Sequence, residues 1–204
     1  MIKAVLWDFG GVILSSPFEA FARWEQETGL PPDFLRKVNA IDPHGNAWAR
    51  LERSEVTLDE FCDLFEREAA EAGHPVDARR VLALLLGELR PQMVEAVKRC
   101  KERLKVGMLT NNIAAPETRP DLAEVMALFD VVVESSKVGV RKPEPRFYEL
   151  ACELLDIEPH EAVFLDDLGV NLKPARAMGM TTIKVVDPDD ALRELEAVLG
   201  FPLR

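Results

Sequence analysis

The sequence begins MIKAVLWDFGGVIL, and this stretch, residues 1–14, decides the fold. A short apolar run, residues 4–7, ends at one carboxylate, Asp8, and the glycines Gly10 and Gly11 follow. An apolar run of this length beside glycine predicts a buried strand of a parallel sheet. Because ligands bind beyond the carboxyl ends of such strands, we expect Asp8 to lie at the ligand-binding edge of the sheet. The glycines would let the backbone turn tightly there and approach a ligand closely.

Strand and helix patterns alternate from residue 91 to the end of the sequence. Short apolar runs predict four further strands, at residues 105–109, 129–133, 162–165 and 181–186. Amphipathic patterns predict helices at residues 92–103, 122–128, 143–155, 170–178 and 189–199. This alternation predicts an α/β fold with a doubly wound parallel sheet of the Rossmann-like type.

Between residues 15 and 88 the pattern is helical throughout. A capping box, Thr57 with Glu60 three residues on, opens one of these helices, and another is predicted at residues 77–86. We therefore predict an α/β core of residues 1–14 and 89–204 and an inserted all-helical cap of residues 15–88. The insertion follows directly after the Asp8 turn, and from this position it could cover the active site as a lid. The alternative is that these helices pack on a face of the sheet.

The composition argues against several classes of partner. A net charge of −11 is unlike the basic surface that nucleic acids or anionic membranes attract. No apolar run approaches the roughly 18 residues of a membrane span, and the N-terminus lacks the order of a signal peptide. Three widely spaced cysteines, Cys62, Cys100 and Cys152, indicate free thiols in a reducing compartment. We expect a cytoplasmic monomer or homodimer with no nucleic-acid or membrane partner.

Polar residues follow four of the predicted strands, at the edge of the sheet where ligands bind. They are Asp8, Thr110, Asn111, Lys142, Asp166 and Asp167. Singly, each has an ordinary structural alternative, such as a helix N-cap or a solvated side chain. Together they suit phosphoryl transfer, because clustered carboxylates need a cation such as Mg²⁺ and a carboxylate can act as the nucleophile. The hydroxyl, amide and ammonium groups could hold the phosphoryl oxygens.

These residues form four motifs in the order typical of the haloacid dehalogenase-like (HAD) hydrolase superfamily, which the chain resembles over its whole length. The motifs are Asp8-Phe9-Gly10-Gly11-Val12, Leu109-Thr110-Asn111, Lys142-Pro143, and Phe164-Leu165-Asp166-Asp167 with Asn171. The helical insertion resembles a cap of the C1 type. Residues 46–53, 138–145 and 166–176 further resemble the N-terminal phosphatase domain of soluble epoxide hydrolases and related domains fused to acyl-CoA dehydrogenase-like proteins.

The resemblance implies a role for each motif. Asp8 would be the catalytic nucleophile, and Lys142 would assist it by neutralising the phosphoryl group. Thr110 and Asn111 would bind that group together with Lys142. Asn171 would orient its neighbours, and the substrate would be a small phosphorylated metabolite. The Mg²⁺ ligands would be the carboxylates of Asp8, Asp166 and Asp167 and the backbone carbonyl of Gly10.

One position departs from the family's pattern. Phosphatases of this superfamily usually carry Asp two residues after the nucleophile, as the acid that protonates the leaving group and then activates water. Gly10 keeps the backbone carbonyl but removes this side chain, and general acid–base catalysis is typically worth about 10²–10⁴-fold in rate. Weak turnover is one expectation; the other is that a water, an activated leaving group or a cap residue replaces the acid. The cap candidates are His44, Arg50 and Glu52.

Two other functions stay open from the sequence. A 2-haloacid dehalogenase would use Asp8 to attack carbon without a metal, and that branch of the superfamily also lacks the second Asp. Asp166 and Asp167 argue against it, because paired acids without a metal would repel an anionic substrate. The third hypothesis is a catalytically weak binding or regulatory domain, and Gly10 motivates it.

Overall fold

The computed structural model describes residues 1–85, 87–113 and 119–203. Its strands are β1 (Ala4–Trp7), β2 (Lys105–Thr110), β3 (Val131–Glu134), β4 (Ala162–Asp166) and β5 (Thr181–Lys184). They form one parallel sheet in the order β3-β2-β1-β4-β5. The prediction of a doubly wound parallel sheet is confirmed, and each strand overlaps its predicted range.

Helices connect the strands and fill the segment between β1 and β2. They are α1 (Pro17–Thr28), α2 (Phe34–Ile41), α3 (Ala47–Glu52), α4 (Leu58–Glu71), α5 (Ala78–Ala83), α6 (Pro91–Lys101), α7 (Pro120–Met126), α8 (Ser135–Val138), α9 (Pro145–Leu155), α10 (Gly169–Ala177) and α11 (Pro188–Leu199). A 3₁₀ helix, Pro159–Glu161, precedes β4. Among the described residues, no helix is long and apolar enough to cross a membrane.

The central strand, β1, is buried on both faces because all four of its residues are apolar. Its partners are β2 and β4, and Leu6 lies opposite both Gly107 and Phe164. Asp8 continues the strand, since its N–H donates to the Leu165 carbonyl oxygen at 2.9 Å. Asp8 therefore lies between the carboxyl ends of two neighbouring strands, at the edge where such sheets bind ligands.

Two apolar layers cover the sheet. Val5 and Trp7 of β1 belong to a buried cluster that includes residues of α6 and α11. Ala4 and Leu6, which point to the opposite face, belong to a second cluster with residues of α9 and α10. This alternation explains the continuous apolar run in β1, because a strand covered on both faces has no solvated side.

Helices α1 to α5 have a third apolar cluster of their own, in which Trp48 packs against Phe61 with ring centroids 4.6 Å apart. The segment leaves and rejoins the sheet region at one place, where Leu14 and Leu89 form an antiparallel bridge. The Ser15 N–H also donates to the Glu88 carbonyl oxygen at 2.8 Å. This junction lies beside the predicted boundaries, 14/15 and 88/89, and the division into a core and a cap stays a prediction.

Local sequence signals hold at several positions. The capping box of α4 is present in both directions between Thr57 and Glu60. The three cysteines are buried free thiols, as predicted. The helix predicted from residue 143 begins instead at Pro145, after Glu144 as the N-cap residue. The helix predicted at residues 77–86 ends at Ala83, and residue 86 lies outside the described residues. Helix α8 and the 3₁₀ helix are too short to give a periodic pattern.

Candidate active site

A wide turn, Phe9–Ile13, follows Asp8 and closes where the Leu14 N–H donates to the Phe9 carbonyl oxygen at 2.8 Å. Gly11 has a φ of 78° in this turn, and a Cβ there would lie 2.3 Å from Asp167 Oδ2. Both the backbone and the contact with Asp167 therefore require glycine. The turn is also held from outside, because Arg90 Nη1 donates to the Gly11 carbonyl oxygen at 2.7 Å.

Three carboxylates converge beside this turn. Asp8, Asp166 and Asp167 each offer a ligand oxygen, and these oxygens all lie within 4.8 Å of one another. Lys142 is buried among them, with its Nζ 2.7 Å from Asp8 Oδ1 and 2.8 Å from Asp166 Oδ2. When all three acids are ionised, the single ammonium of Lys142 cannot balance their charge. The cluster then carries an excess of negative charge.

The pKa values reflect that excess. Burial raises the pKa of Asp8 well above its ordinary value, and the attraction of Lys142 offsets the rise only in part. Burial and the neighbouring Asp166 raise the pKa of Asp167 to about 6. Burial by itself would lower the Lys142 pKa, but the charges of Asp166 and Asp8 outweigh it and raise that pKa. The site therefore stabilises additional positive charge.

Asp166 is the most fully engaged of the three acids. Its Oδ1 accepts from the Leu168 N–H at 2.8 Å, and Asn171 Nδ2 lies 3.1 Å from both of its carboxylate oxygens. The Tyr148 hydroxyl fixes Asn171 in turn, because it donates to the backbone carbonyl oxygen of Asn171 at 2.7 Å. Asn171 thus contacts the acid that holds Lys142, and its orienting role stays a prediction.

Asn111 makes a reciprocal pair with the backbone of Lys142. Its Nδ2 donates to the Lys142 carbonyl oxygen at 2.9 Å, and its Oδ1 accepts from the Lys142 N–H at 2.8 Å. The side-chain amide therefore fixes the lysine, a contact that the sequence did not reveal, and direct phosphoryl binding by Asn111 remains a prediction. Thr110 is buried at the end of β2.

A cavity of about 460 Å³ lies between these groups and the helical segment. Asp8, Gly10, Lys142 and Asp167 line it from the sheet side. The helical segment contributes a mainly apolar surface that includes Phe18, Phe21, Trp48 and Leu85. The volume is that of a small-molecule site, and polar side chains of the helical segment, Arg36, His44 and Glu52 among them, line it beside the apolar ones.

Glu52 and Arg141 line the same cavity and join the helical segment to the core. Glu52 Oε2 lies 2.5 Å from Arg141 Nε, and both side chains are about 15% exposed. Arg141 Nη1 also donates to the Pro43 carbonyl oxygen at 3.0 Å. Burial raises the Glu52 pKa, and Arg141 opposes the rise. No local sequence signal indicates this contact of Arg141, because its partner in the ion pair is 89 positions away.

The three cap candidates for the missing acid differ in position. Glu52 lines the cavity as a largely buried residue, and His44 lines it as an exposed one. Arg50 is not among the described residues that line the cavity. Ser54, two residues after Glu52, makes a separate contact with the core, its hydroxyl donating to the Ser136 carbonyl oxygen at 2.8 Å.

Comparison with known proteins identifies the family. The family model of haloacid dehalogenase-like hydrolases matches residues 2–179, and the chain belongs to that family. It is 33% identical to bifunctional epoxide hydrolase 2 of Sus scrofa over 99% of the chain and 40% of that protein. It is 38% identical to phosphatase MT3486 of Mycobacterium tuberculosis over 88% of the chain and 85% of that protein. The chain thus spans two fifths or less of the first curated relatives that it matches.

Solved structures share the fold. One is a HAD family enzyme of Bacteroides thetaiotaomicron in complex with magnesium and inorganic phosphate, with a TM-score of 0.58 and 21% identity over 90% of this chain and 94% of that chain. Dehalogenase structures share the fold as well. These structures show the shared fold alone, and the choice between phosphatase and dehalogenase chemistry rests on the residues of the site.

Proposed function

We propose that this protein is a Mg²⁺-dependent phosphatase that acts on a small phosphorylated metabolite through an aspartyl-phosphate intermediate. The observation that carries the proposal is the cluster of Asp8, Asp166 and Asp167 around the buried ammonium of Lys142. An all-oxygen donor set with excess negative charge suits Mg²⁺, which binds through one or two carboxylates and substrate phosphate.

The residues divide into two groups under this proposal. Asp8, Asp167 and the backbone carbonyl of Gly10 would hold the ion, and Asp166, with both oxygens hydrogen-bonded, would mainly hold Lys142. Bound Mg²⁺ would neutralise the phosphoryl oxygens. Gly11 leaves room for the Asp167 carboxylate that completes this donor set.

Asp8 would attack phosphorus, because its carboxylate opens into the cavity at the end of the central strand. The Lys142 ammonium, 2.7 Å from Asp8, would balance the charge of the phosphoryl group during transfer. Thr110 and Asn111 stay proposed phosphoryl-binding residues, with Asn111 also holding the lysine backbone.

The helical segment, residues 15–88, would act as the cap over the site. It supplies the apolar side of the cavity, which would contact the organic part of the substrate. The phosphatase of Mycobacterium tuberculosis supports the reaction class, because the similarity covers most of both chains.

Purified protein should release phosphate from p-nitrophenyl phosphate and acetyl phosphate in the presence of Mg²⁺. EDTA should abolish this release, and Asp8→Asn should abolish it because the amide is not a nucleophile. Asp187→Asn is the matched control, since Asp187 is the N-cap of α11, outside the residues that line the cavity. Release by Asp8→Asn at the wild-type rate would refute the proposal.

The alternative is a 2-haloacid dehalogenase, which Gly10 favours because dehalogenation needs no second acid. It requires Asp8 to meet an anionic haloacid beside two further carboxylates with only Lys142 in compensation. Release of chloride from 2-chloropropionate in the presence of EDTA would establish this function in place of the phosphatase.

A further inference from the structure

Gly10 and Gly11 are adjacent in the turn, but only Gly11 needs to be glycine. Gly10 has φ −69° and ψ 130°, a conformation that any residue adopts. A Cβ built on Gly10 has no atom within 4 Å, and the residue lines the cavity. Neither the backbone conformation nor packing therefore requires glycine at position 10. The missing side chain matters for the chemistry of the site.

The cavity offers few other proton donors near the phosphoryl site. Among the described residues that line it, the carboxylic acids are Asp8, Glu52 and Asp167, and the histidine is His44, an exposed residue of the helical segment. Asp8 and Asp167 are already assigned to phosphoryl transfer and to the ion. Burial raises the pKa of Glu52, but its carboxylate is engaged by the Arg141 guanidinium 2.5 Å away, which opposes the rise.

We propose that the substrate is a phosphate whose leaving group departs as a stable anion without a proton, and that its chemical class is the acyl phosphates. This inference rests on the proposed phosphatase function and narrows its substrate. A carboxylate leaving group has a conjugate acid with a pKa of about 4, whereas an alkoxide is the conjugate base of an alcohol whose pKa is near that of water and therefore far higher. Only the first leaves readily without an acid.

The steps balance without a proton donor. An Asp8 carboxylate oxygen forms a bond to phosphorus while the bond from phosphorus to the substrate's carboxylate oxygen breaks, and the electron pair stays on the departing carboxylate. Water then attacks phosphorus, the bond from phosphorus to Asp8 breaks with its electron pair on the Asp8 carboxylate, and both protons of the water stay with the product as dihydrogen phosphate. The enzyme intermediate is itself an acyl phosphate, so the first step exchanges one mixed anhydride for another.

The test compares acetyl phosphate with propyl phosphate in wild type, Gly10→Asp and Gly10→Asn. Wild type should show Asp8-dependent hydrolysis of acetyl phosphate. Gly10→Asp should raise kcat/KM for propyl phosphate by about 10²-fold or more, the usual worth of a general acid, and change acetyl phosphate less than tenfold. Gly10→Asn fills the same space without a proton to donate and should give no gain on propyl phosphate.

A second measurement needs no change at Gly10. In wild type, kcat/KM for a series of substituted phenyl phosphates should fall steeply as the pKa of the phenol rises. A flat series would overturn the inference. Equal gains in kcat/KM for Gly10→Asp and Gly10→Asn on both acetyl phosphate and propyl phosphate would also overturn it. A flat series that becomes steep in Glu52→Gln would identify Glu52 as the donor and also overturn it.

These outcomes are separate from failure of the proposed function. If no substrate is hydrolysed above the Asp8→Asn background, the phosphatase itself is refuted. If hydrolysis depends on Asp8 but propyl phosphate is turned over within tenfold of acetyl phosphate, the phosphatase stands and the substrate class is refuted.

Discussion

The Lys142 ammonium lies 2.7 Å from the Asp8 carboxylate, and the lysine side chain is 1% exposed. A buried ion pair contributes little net stability, but removal of one partner leaves an uncompensated charge in a medium of low polarity. Asp166 shares the same ammonium at 2.8 Å. Lys142 is therefore as important to the folding of this region as to its proposed chemistry.

Lys142→Met should destabilise the protein by about 3 kcal/mol or more at pH 7 in EDTA, because two buried carboxylates lose their counter-ion. The loss should be smaller at pH 4 than at pH 7, because the raised pKa of Asp8 favours, as pH falls, the protonated carboxyl that needs no partner. Urea unfolding of both proteins at the two pH values measures this. The control is Lys184→Met on the exposed side of β5, which should change stability by less than about 0.5 kcal/mol. Equal losses for the two variants would contradict the role of Lys142.

Gly11→Ala should weaken Mg²⁺ binding at least tenfold and destabilise the protein by about 1–3 kcal/mol. The new Cβ would lie 2.3 Å from Asp167 Oδ2, and φ at this position is 78°. Gly10→Ala is the matched control, because a Cβ there meets no atom within 4 Å and the backbone is in an ordinary region. Calorimetric titration with Mg²⁺ and urea unfolding would separate the two effects. Similar behaviour of the two variants would contradict the assignment of Gly11 as a spacing residue.

Ionisation of Asp167 should lower the stability of the metal-free protein as pH rises from about 4 to 6. Asp167 has a pKa of about 6 in the folded protein against an ordinary value of 3.8, so the folded state keeps a proton that the unfolded chain has released. At pH 7.5 in EDTA, Asp167→Asn should be more stable than wild type by about 3 kcal/mol, and the two should be equal near pH 3.5.

Thermal or urea unfolding across this pH range tests the expectation. Mg²⁺ should reverse the order at pH 7.5, because wild type keeps its ligand and the variant has lost one. A difference between the proteins that does not vary with pH would contradict the raised pKa of Asp167.

Glu52 and Arg141 should be energetically coupled. In a double-mutant cycle with Glu52→Ala and Arg141→Ala, we expect a coupling energy of about 1–3 kcal/mol, because both side chains are largely buried and 2.5 Å apart. Ser54→Ala combined with Arg141→Ala is the control, since Ser54 binds the Ser136 carbonyl at a separate point of the core. Additive effects in the first cycle would show that the pair does not join the cap to the core.

Part of this protein was determined by local sequence alone. The apolar run before Asp8 identified the central strand, because a strand buried on both faces carries apolar side chains on both and shows no alternation with polar ones. The alternation of strands and helices then fixed a parallel sheet, and with it the common edge at which Asp8, Asp166 and Asp167 meet. The capping box at Thr57 followed from residues three positions apart.

Only the tertiary structure decided which of these groups touch and which glycine matters. Lys142 reaches Asp8 and Asp166, Asn111 holds the Lys142 backbone, and Glu52 meets Arg141. Such contacts join residues tens of positions apart, and they depend on how whole elements pack, which no local pattern encodes. The sequence shows two equivalent glycines after Asp8, but packing against Asp167 makes Gly11 obligatory and leaves Gly10 facing open space.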